Sequence, residues 1–185
     1  MVFIVGEKNY EMLKQIKIAF TGPESSGKTT LANLIAEFYT TSFISEYARE
    51  FLKDKKDYSQ EDLDTIAKKQ VALCKGSLNP LLISDTEMSV MYIWSLEKFK
   101  NVSPTIQLLL EEQDFDHLFL CAPDIPWEKD ELRENPFDRQ HLFELYKDLL
   151  VKKRIPFSVI KGELNTRFLA CKTQIETLKA EKIQL

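Results

Sequence analysis

Between Gln15 and Thr30 the chain reads QIKIAFTGPESSGKTT, and no other stretch restricts its fold so tightly. An apolar run, Ile16-Lys17-Ile18-Ala19-Phe20, leads through Thr21 into Gly22-Pro23-Glu24-Ser25-Ser26-Gly27-Lys28-Thr29, and a helical pattern follows at once. Gly22 and Gly27 let the backbone curl so that successive N–H groups point inward, and the helix N-terminus behind them adds partial positive charge. This is a phosphate-binding loop. Lys28 is expected to reach the β- and γ-phosphates of ATP and the Thr29 hydroxyl to take one coordination position on Mg²⁺. Glu24, Ser25, Ser26 and Thr30 complete the expected nucleotide contact. The spacing arises by chance on the order of once in a hundred chains of this length, and only five glycines make coincidence rarer still. Behind the loop, Leu31, Leu34, Ile35 and Phe38 recur at i, i+3, i+4, i+7 as one helix face.

At 185 residues and 44% hydrophobic, the chain suffices for one domain with a full core and is too short for two comfortable ones, so residues 1–185 are expected to form a single unit. Lys and Arg number 25 against 29 Asp and Glu, a net charge of −4. That balance leaves no electrostatic footprint for a nucleic-acid backbone, and polynucleotide is not the expected substrate. Cys74, Cys121 and Cys171 are widely spaced and lack C-x-x-C pairing, so they read as buried thiols in a reducing compartment. The apolar start, Met1 to Val5, stops at Gly6, too short for a signal peptide. No apolar run approaches the roughly 18 residues of a membrane span, and a cytoplasmic protein without a membrane partner is expected. His117 and His141 belong to no H-x-G-H or H-E-x-x-H pattern and read as structural or surface residues.

Along the chain, apolar segments alternate with helical patterns. Residues 1–14 read as an N-terminal extension or a tail. Ser42-Phe43-Ile44-Ser45 is a short strand candidate running into Glu46-Tyr47-Ala48-Arg49-Glu50. Ligands collect at the carboxyl ends of strands in a doubly wound sheet, which favours Glu46 and Arg49 as site residues over a solvated helix-start network. Ser59-Gln60-Glu61-Asp62 resembles a capping box, ahead of an apolar face of Leu63, Ile66, Ala67, Val71 and Cys74. Leu81-Leu82-Ile83-Ser84-Asp85 is a compact strand ending in an acid, the carboxylate a phosphoryl-transferring loop needs to orient Mg²⁺. Asp85 can also be read as the N-cap of the next helix, and Glu87 as a second acid. Met88 to Phe99 reads helical, with Trp94 more readily a core residue than a substrate-stacking ring. Ser103-Pro104 opens another helix with Ile106, Leu109 and Leu110 inward, and residues 116–121 form a fourth strand.

From Ala122 to Arg139 the composition turns to three prolines and many charges. A stretch this long leaving a strand end reads as either a lid or a disordered excursion. Arg133 and Arg139 suit a lid that neutralises charge on a transferring phosphoryl group, against the alternative of pairing with Glu131, Glu134 or Asp138. An amphipathic helix follows with Leu142, Leu145, Tyr146, Leu149 and Leu150, then a fifth strand at 156–160. Gly162 precedes a closing helix with Phe168, Cys171, Ile175 and Leu178 on one face. The expected architecture is α/β, a three-layer α/β/α P-loop kinase-like domain with a five-stranded parallel sheet and a lid over residues 122–139.

Four blocks in fixed order, GPESSGKTTLA, EYAREFL, LLISDTEMSVMYIWS and HLFLCAPDIPWEKDELRENPFDR, resemble the ribosylnicotinamide (nicotinamide riboside) kinase domain of NadR-type proteins, within the P-loop nucleoside kinases. The resemblance runs from about Lys17 to Arg167, and the lid block is its most specific part. It implies transfer of the ATP γ-phosphoryl to the 5′-hydroxyl of nicotinamide riboside, a small-molecule nucleoside substrate, giving nicotinamide mononucleotide. By the same resemblance Lys28 and Thr29 hold ATP and Mg²⁺, Asp85 is the metal-side carboxylate, and Glu46 is the base or ribose ligand. Arg49 positions substrate, Arg133 and Arg139 cover the transferring group, Trp127 and Tyr47 are ring-stacking partners, and Arg167 packs near the adenine. Two departures stand out: Glu87 where a second aspartate is expected after Asp-Thr, and Glu131 where glycine often precedes Leu-Arg. The H-x-G-H adenylyltransferase signature of full-length NadR-type proteins is also missing, so their further activities do not transfer.

Overall fold

The structure, a computed structural model, describes residues 15–128 and 138–183. Four parallel strands, β1 (Ile16–Thr21), β2 (Leu81–Ser84), β3 (His117–Cys121) and β4 (Phe157–Ile160), lie in the order β2-β1-β3-β4. The helices between and after them are α1 (Lys28–Phe38), α2 (Tyr47–Phe51), α3 (Gln60–Lys75), α4 (Met88–Phe99), α5 (Pro104–Glu112), α6 (Arg139–Lys153) and α7 (Leu164–Ile183). The central strands are apolar without alternation because both faces are covered. Ile18 and Phe20 of β1 point with Phe119 and Cys121 of β3 toward α1 and α7. Ala19, Leu118 and Leu120 point the other way, toward α3, α4, α5 and α6. Each fully buried Leu, Ile or Phe in these layers contributes about 1.5–3 kcal/mol.

The helix boundaries follow from their caps. Ser59 accepts a hydrogen bond from the Asp62 N–H while the Asp62 carboxylate accepts one from the Ser59 N–H, the reciprocal box expected from the sequence. Ser103 caps α5 through the Ile106 N–H, with Pro104 inside the first turn.

Among the described residues the expected five-stranded sheet has four strands. Ser42–Ser45 contributes one parallel bridge, Ile44 to Ser84, beside β2. The Ile44 N–H donates to the Ile83 carbonyl at 2.8 Å and its carbonyl accepts from the Asp85 N–H at 2.9 Å. The ladder stops there because the Gln70 side chain takes the next backbone groups, donating to the Ser45 carbonyl and accepting from the Tyr47 N–H. The inward face of α1 is also rotated from its expected position: Leu31, Ala32, Ile35 and Ala36 are buried, whereas Phe38 is 48% exposed. Cys74, Cys121 and Cys171 carry free thiols, and His117 is buried with Nε2 against the Ser158 hydroxyl at 2.8 Å.

β1 and β3 are neighbours whose following helices, α1 and α6, cover opposite faces. That is the topological switch point of the sheet, and the loops leaving both strands open onto the crevice above it.

Candidate active site

The phosphate loop leaves β1 at Gly22, whose φ of 119° lies outside the range open to L-residues. A Cβ there would sit 2.7 Å from the Cys121 carbonyl oxygen, so the loop lies directly on the end of β3. Ser25 and Gly27 also have positive φ, 52° and 85°. The Lys28 ammonium lies over the curl, donating to the Gly22 carbonyl at 2.9 Å and the Pro23 carbonyl at 2.8 Å. The Ser26 hydroxyl donates to the Pro23 carbonyl at 2.7 Å. Gly22, Glu24, Ser25, Ser26, Gly27, Lys28, Thr29 and Thr30 line one wall of a cleft of about 600 Å³.

Four further residues complete that cleft: Glu46, Arg49, Val90 and Trp94. Glu46 precedes α2, and its carboxylate is bridged by Arg49 Nε at 3.3 Å. The Glu46 side chain is 10% exposed, so this is a sheltered pair rather than a fully solvated one. Val90 and Trp94 project from α4, one turn apart, with the Trp94 ring stacked on Tyr58 at 6.2 Å. Periodicity marks both as ordinary helix-face residues; their spacing of four at the start of α4, just beyond the acid of β2, is the signal that places them beside the cleft.

Asp85 follows β2 and is 2% exposed. Its Oδ2 accepts a hydrogen bond from the Thr29 hydroxyl at 2.7 Å, while Oδ1 is buried without a partner. Burial pushes its pKa up to about 6; the Thr29 hydrogen bond opposes the rise, the nearby Glu46 charge adds to it, and Lys28 and Arg49 oppose it. A buried carboxylate with one oxygen unsatisfied, beside a hydroxyl on the phosphate loop, is the hard-oxygen donor set that Mg²⁺ takes. Thr29 and Asp85 therefore fit the metal role expected of them. Asp85 is not the cap of α4: that is Glu87, whose Oε2 accepts from the Ser89 N–H at 2.7 Å. Glu87 is 1% exposed, burial raises its pKa, and it borders a separate cavity between α3 and α5. It is a helix cap in the interior, not a second acid in the cleft.

The remaining expected residues are distributed as follows. Tyr47 begins α2 and packs its ring near Phe51, with centroids 6.0 Å apart, outside the cleft lining. Trp127 Nε1 donates to Glu24 Oε1 at 3.2 Å, joining the start of the lid stretch to the phosphate loop. The Glu128 N–H donates to the Ser25 hydroxyl at 2.9 Å beside it. Arg139, the first residue of α6, donates through Nη1 to the Ser25 carbonyl at 3.0 Å and through both Nη atoms to the Ile125 carbonyl at 3.1 Å. Arg167 is 2% exposed and offers no open face to an adenine ring. It donates to the carbonyls of Gly162 at 2.7 Å, Ser26 at 2.8 Å and Ala122 at 3.1 Å, and pairs with Asp124. Arg133 and Glu131, within the expected lid, and residues 1–14 lie outside the described residues.

Residues 17–167 match the model of the AAA domain family AAA_28. The chain belongs to this family. Over 176 residues it is 27% identical to the trifunctional NAD biosynthesis/regulator protein NadR of Salmonella typhimurium, a match covering 89% of this chain and 43% of the relative. It thus spans less than half the length of the curated relatives it matches. A solved NadR protein in complex with NR superimposes with a TM-score of 0.72 at 17% identity, covering 91% of this chain and 52% of that one. Thymidylate kinase from Ehrlichia chaffeensis superimposes with a TM-score of 0.62 at 17% identity, covering 88% and 99%. These likenesses establish that this AAA domain has the α/β fold of P-loop kinases. Among the described residues no helix is long and apolar enough to cross a membrane.

Proposed function

We propose that the chain is an ATP-dependent phosphotransferase that moves the γ-phosphoryl group to the 5′-hydroxyl of nicotinamide riboside, giving nicotinamide mononucleotide. One observation carries the transfer chemistry: a sheltered carboxylate, Glu46, opens onto the same cleft as Lys28 and Thr29 of the phosphate loop. A nucleotide-hydrolysing switch has no need of an acceptor-side acid held there. The similarity to NadR, together with the EYAREFL and lid blocks, supports nicotinamide riboside as acceptor.

In this reading the loop N–H groups and Lys28 hold the ATP polyphosphate, and the acceptor ribose lies toward Glu46 and Arg49. Val90 and Trp94 supply an apolar wall for its ring. Glu46 accepts the proton of the 5′-hydroxyl as the oxygen forms its bond to the γ-phosphorus and the bond to the bridging oxygen of ADP breaks. Arg49 holds Glu46 in place. Thr29 and Asp85 would hold Mg²⁺, which when bound neutralises charge on the phosphate oxygens. Lys28 exchanges its two carbonyl partners for phosphate oxygens, where charge moves onto the leaving group. Arg133 is proposed to exclude water and offset charge at the same step, whereas Arg139, expected beside it, has its guanidinium on the Ser25 and Ile125 carbonyls.

The test is an assay with ATP and Mg²⁺ in which nicotinamide riboside is compared with ordinary ribo- and deoxyribonucleosides and products are resolved by mass. Nicotinamide mononucleotide formed in preference to other monophosphates supports the assignment. Preferential phosphorylation of another nucleoside replaces the acceptor.

A further inference from the structure

Two arginines from distant parts of the chain reach behind the phosphate loop and bind successive carbonyls. Arg139 donates to the Ser25 carbonyl at 3.0 Å and Arg167 to the Ser26 carbonyl at 2.8 Å. In a trans peptide the C=O and the following N–H point in opposite directions, and no peptide among the described residues is cis. A guanidinium that fixes the Ser25 carbonyl outward therefore turns the Ser26 N–H inward, and one that fixes the Ser26 carbonyl turns the Gly27 N–H inward. These amides belong to residues lining the cleft. The same two side chains hold the loop after β3: Arg139 grips the Ile125 carbonyl, and Arg167 grips the Ala122 carbonyl and Asp124. Asp124 Oδ2 in turn accepts from the Gly162 N–H at 2.7 Å, tying in the start of α7. A Cβ on Gly27 would lie 3.3 Å from Ile125 Cδ1 and 3.7 Å from Arg167 Nη1, so the loop is backed closely on this side.

We propose that Arg139 and Arg167 are positioning residues that orient the anion-binding N–H groups of the phosphate loop through its carbonyls, and that Arg167 does not touch the nucleotide. The inference rests on the reading of the cleft as a phosphoryl-transfer site. A planar guanidinium with several fixed donors holds carbonyls of the phosphate loop and of the β3 loop at once, and a lysine ammonium, with three donors on one atom, is expected to replace it in part. With Ser25 in the left-handed region, the loop lacks an intrinsic preference for this conformation and depends on outside support.

The experiment measures binding of inorganic tripolyphosphate with Mg²⁺, and separately of adenosine, by calorimetry on the full chain and its Arg139→Met, Arg167→Met and Arg167→Lys variants. The change in the Gly27 amide resonance on adding tripolyphosphate is recorded by NMR. Each Met variant is expected to lose about tenfold to hundredfold in tripolyphosphate affinity, the scale of lost support behind a binding group. Adenosine affinity should stay within twofold, the Gly27 amide response should shrink in Arg167→Met, and Arg167→Lys should recover part of the loss. Folded variants that bind tripolyphosphate as wild type does overturn the proposal. Loss of adenosine binding alone in the Arg167 variants overturns it as well, by placing that residue at the base. Should Arg167→Met fail to fold, Arg139→Met decides by the same tripolyphosphate criterion. A wild-type protein that binds neither tripolyphosphate nor ATP overturns the phosphoryl-transfer reading itself, and the positioning role with it.

Discussion

Replacing Asp85 with asparagine should stabilise the nucleotide-free protein at neutral pH while abolishing most of its activity. Asp85 is 2% exposed, and burial raises its pKa from 3.8 to about 6. A carboxyl whose pKa rises on folding is easier to accommodate protonated, so its contribution falls as pH climbs from near 3.8 to near 6 and stays low above that. The gap between 3.8 and about 6 corresponds to about 3 kcal/mol of cost for holding the charged form. Asparagine removes that charge and keeps an oxygen for the Thr29 hydroxyl, but its amide takes the place of a carboxylate oxygen that has no partner. An unsatisfied buried amide costs about 1 kcal/mol or somewhat more. The net gain at pH 7.5 is about 2 kcal/mol, or about 4–8 °C in Tm for a chain of this size. As pH falls below 6 towards 3.8 the burial cost fades from wild type, so the advantage of asparagine shrinks and is cancelled by the amide cost at about pH 4.5. Scanning fluorimetry of both proteins from pH 4.5 to 8 measures this directly. A difference in Tm that does not vary with pH, or a variant less stable throughout, would refute the account of Asp85 as a buried charge awaiting a cation.

Three other outcomes follow from the same geometry. Lys28→Ala should reduce turnover by about 10²-fold or more with little change in Tm, since the ammonium touches only loop carbonyls; near-normal activity would remove the lysine from the transfer step. Glu46→Gln should lower kcat by about 10²- to 10⁴-fold, seen in steady-state kinetics with ATP affinity unchanged; an effect on ATP binding alone would make Glu46 a nucleotide ligand. Gly22→Ala should cost about 1–3 kcal/mol of stability, because φ is 119° and the new methyl would meet the Cys121 carbonyl at 2.7 Å; denaturant titration would show it.

The phosphate loop, the caps of α3 and α5 and the order of helices and central strands are legible from residue spacing because local chemistry decides them. Ser59 and Asp62 satisfy each other's N–H groups whatever lies around them. The parts that differ depend on partners far along the chain. Whether Ser42–Ser45 extends the sheet turns on Gln70, which takes the neighbouring backbone groups. The turn of α1 follows its packing against α7, where Ala32 and Ala36 allow close approach and Phe38 is left at the rim against Phe168, 5.4 Å away. Glu87 reads as an acid near the site, and only its hydrogen bond to the Ser89 N–H reveals that it caps α4. Trp94 is one of several aromatic residues with helical spacing, and the strand order decides that its face adjoins the cleft. Arg139 and Arg167 read as groups that meet the nucleotide because charge is visible in sequence, whereas the carbonyls they bind are not.

The most direct test of phosphoryl transfer is a ³¹P NMR time course of the protein with ATP, Mg²⁺ and nicotinamide riboside. A phosphate monoester resonance growing one-for-one with ADP, and disappearing in Lys28→Ala and Glu46→Gln, is the predicted result. ADP appearing with inorganic phosphate alone, at a rate the riboside does not change, would contradict it and mark the cleft as a site of ATP hydrolysis.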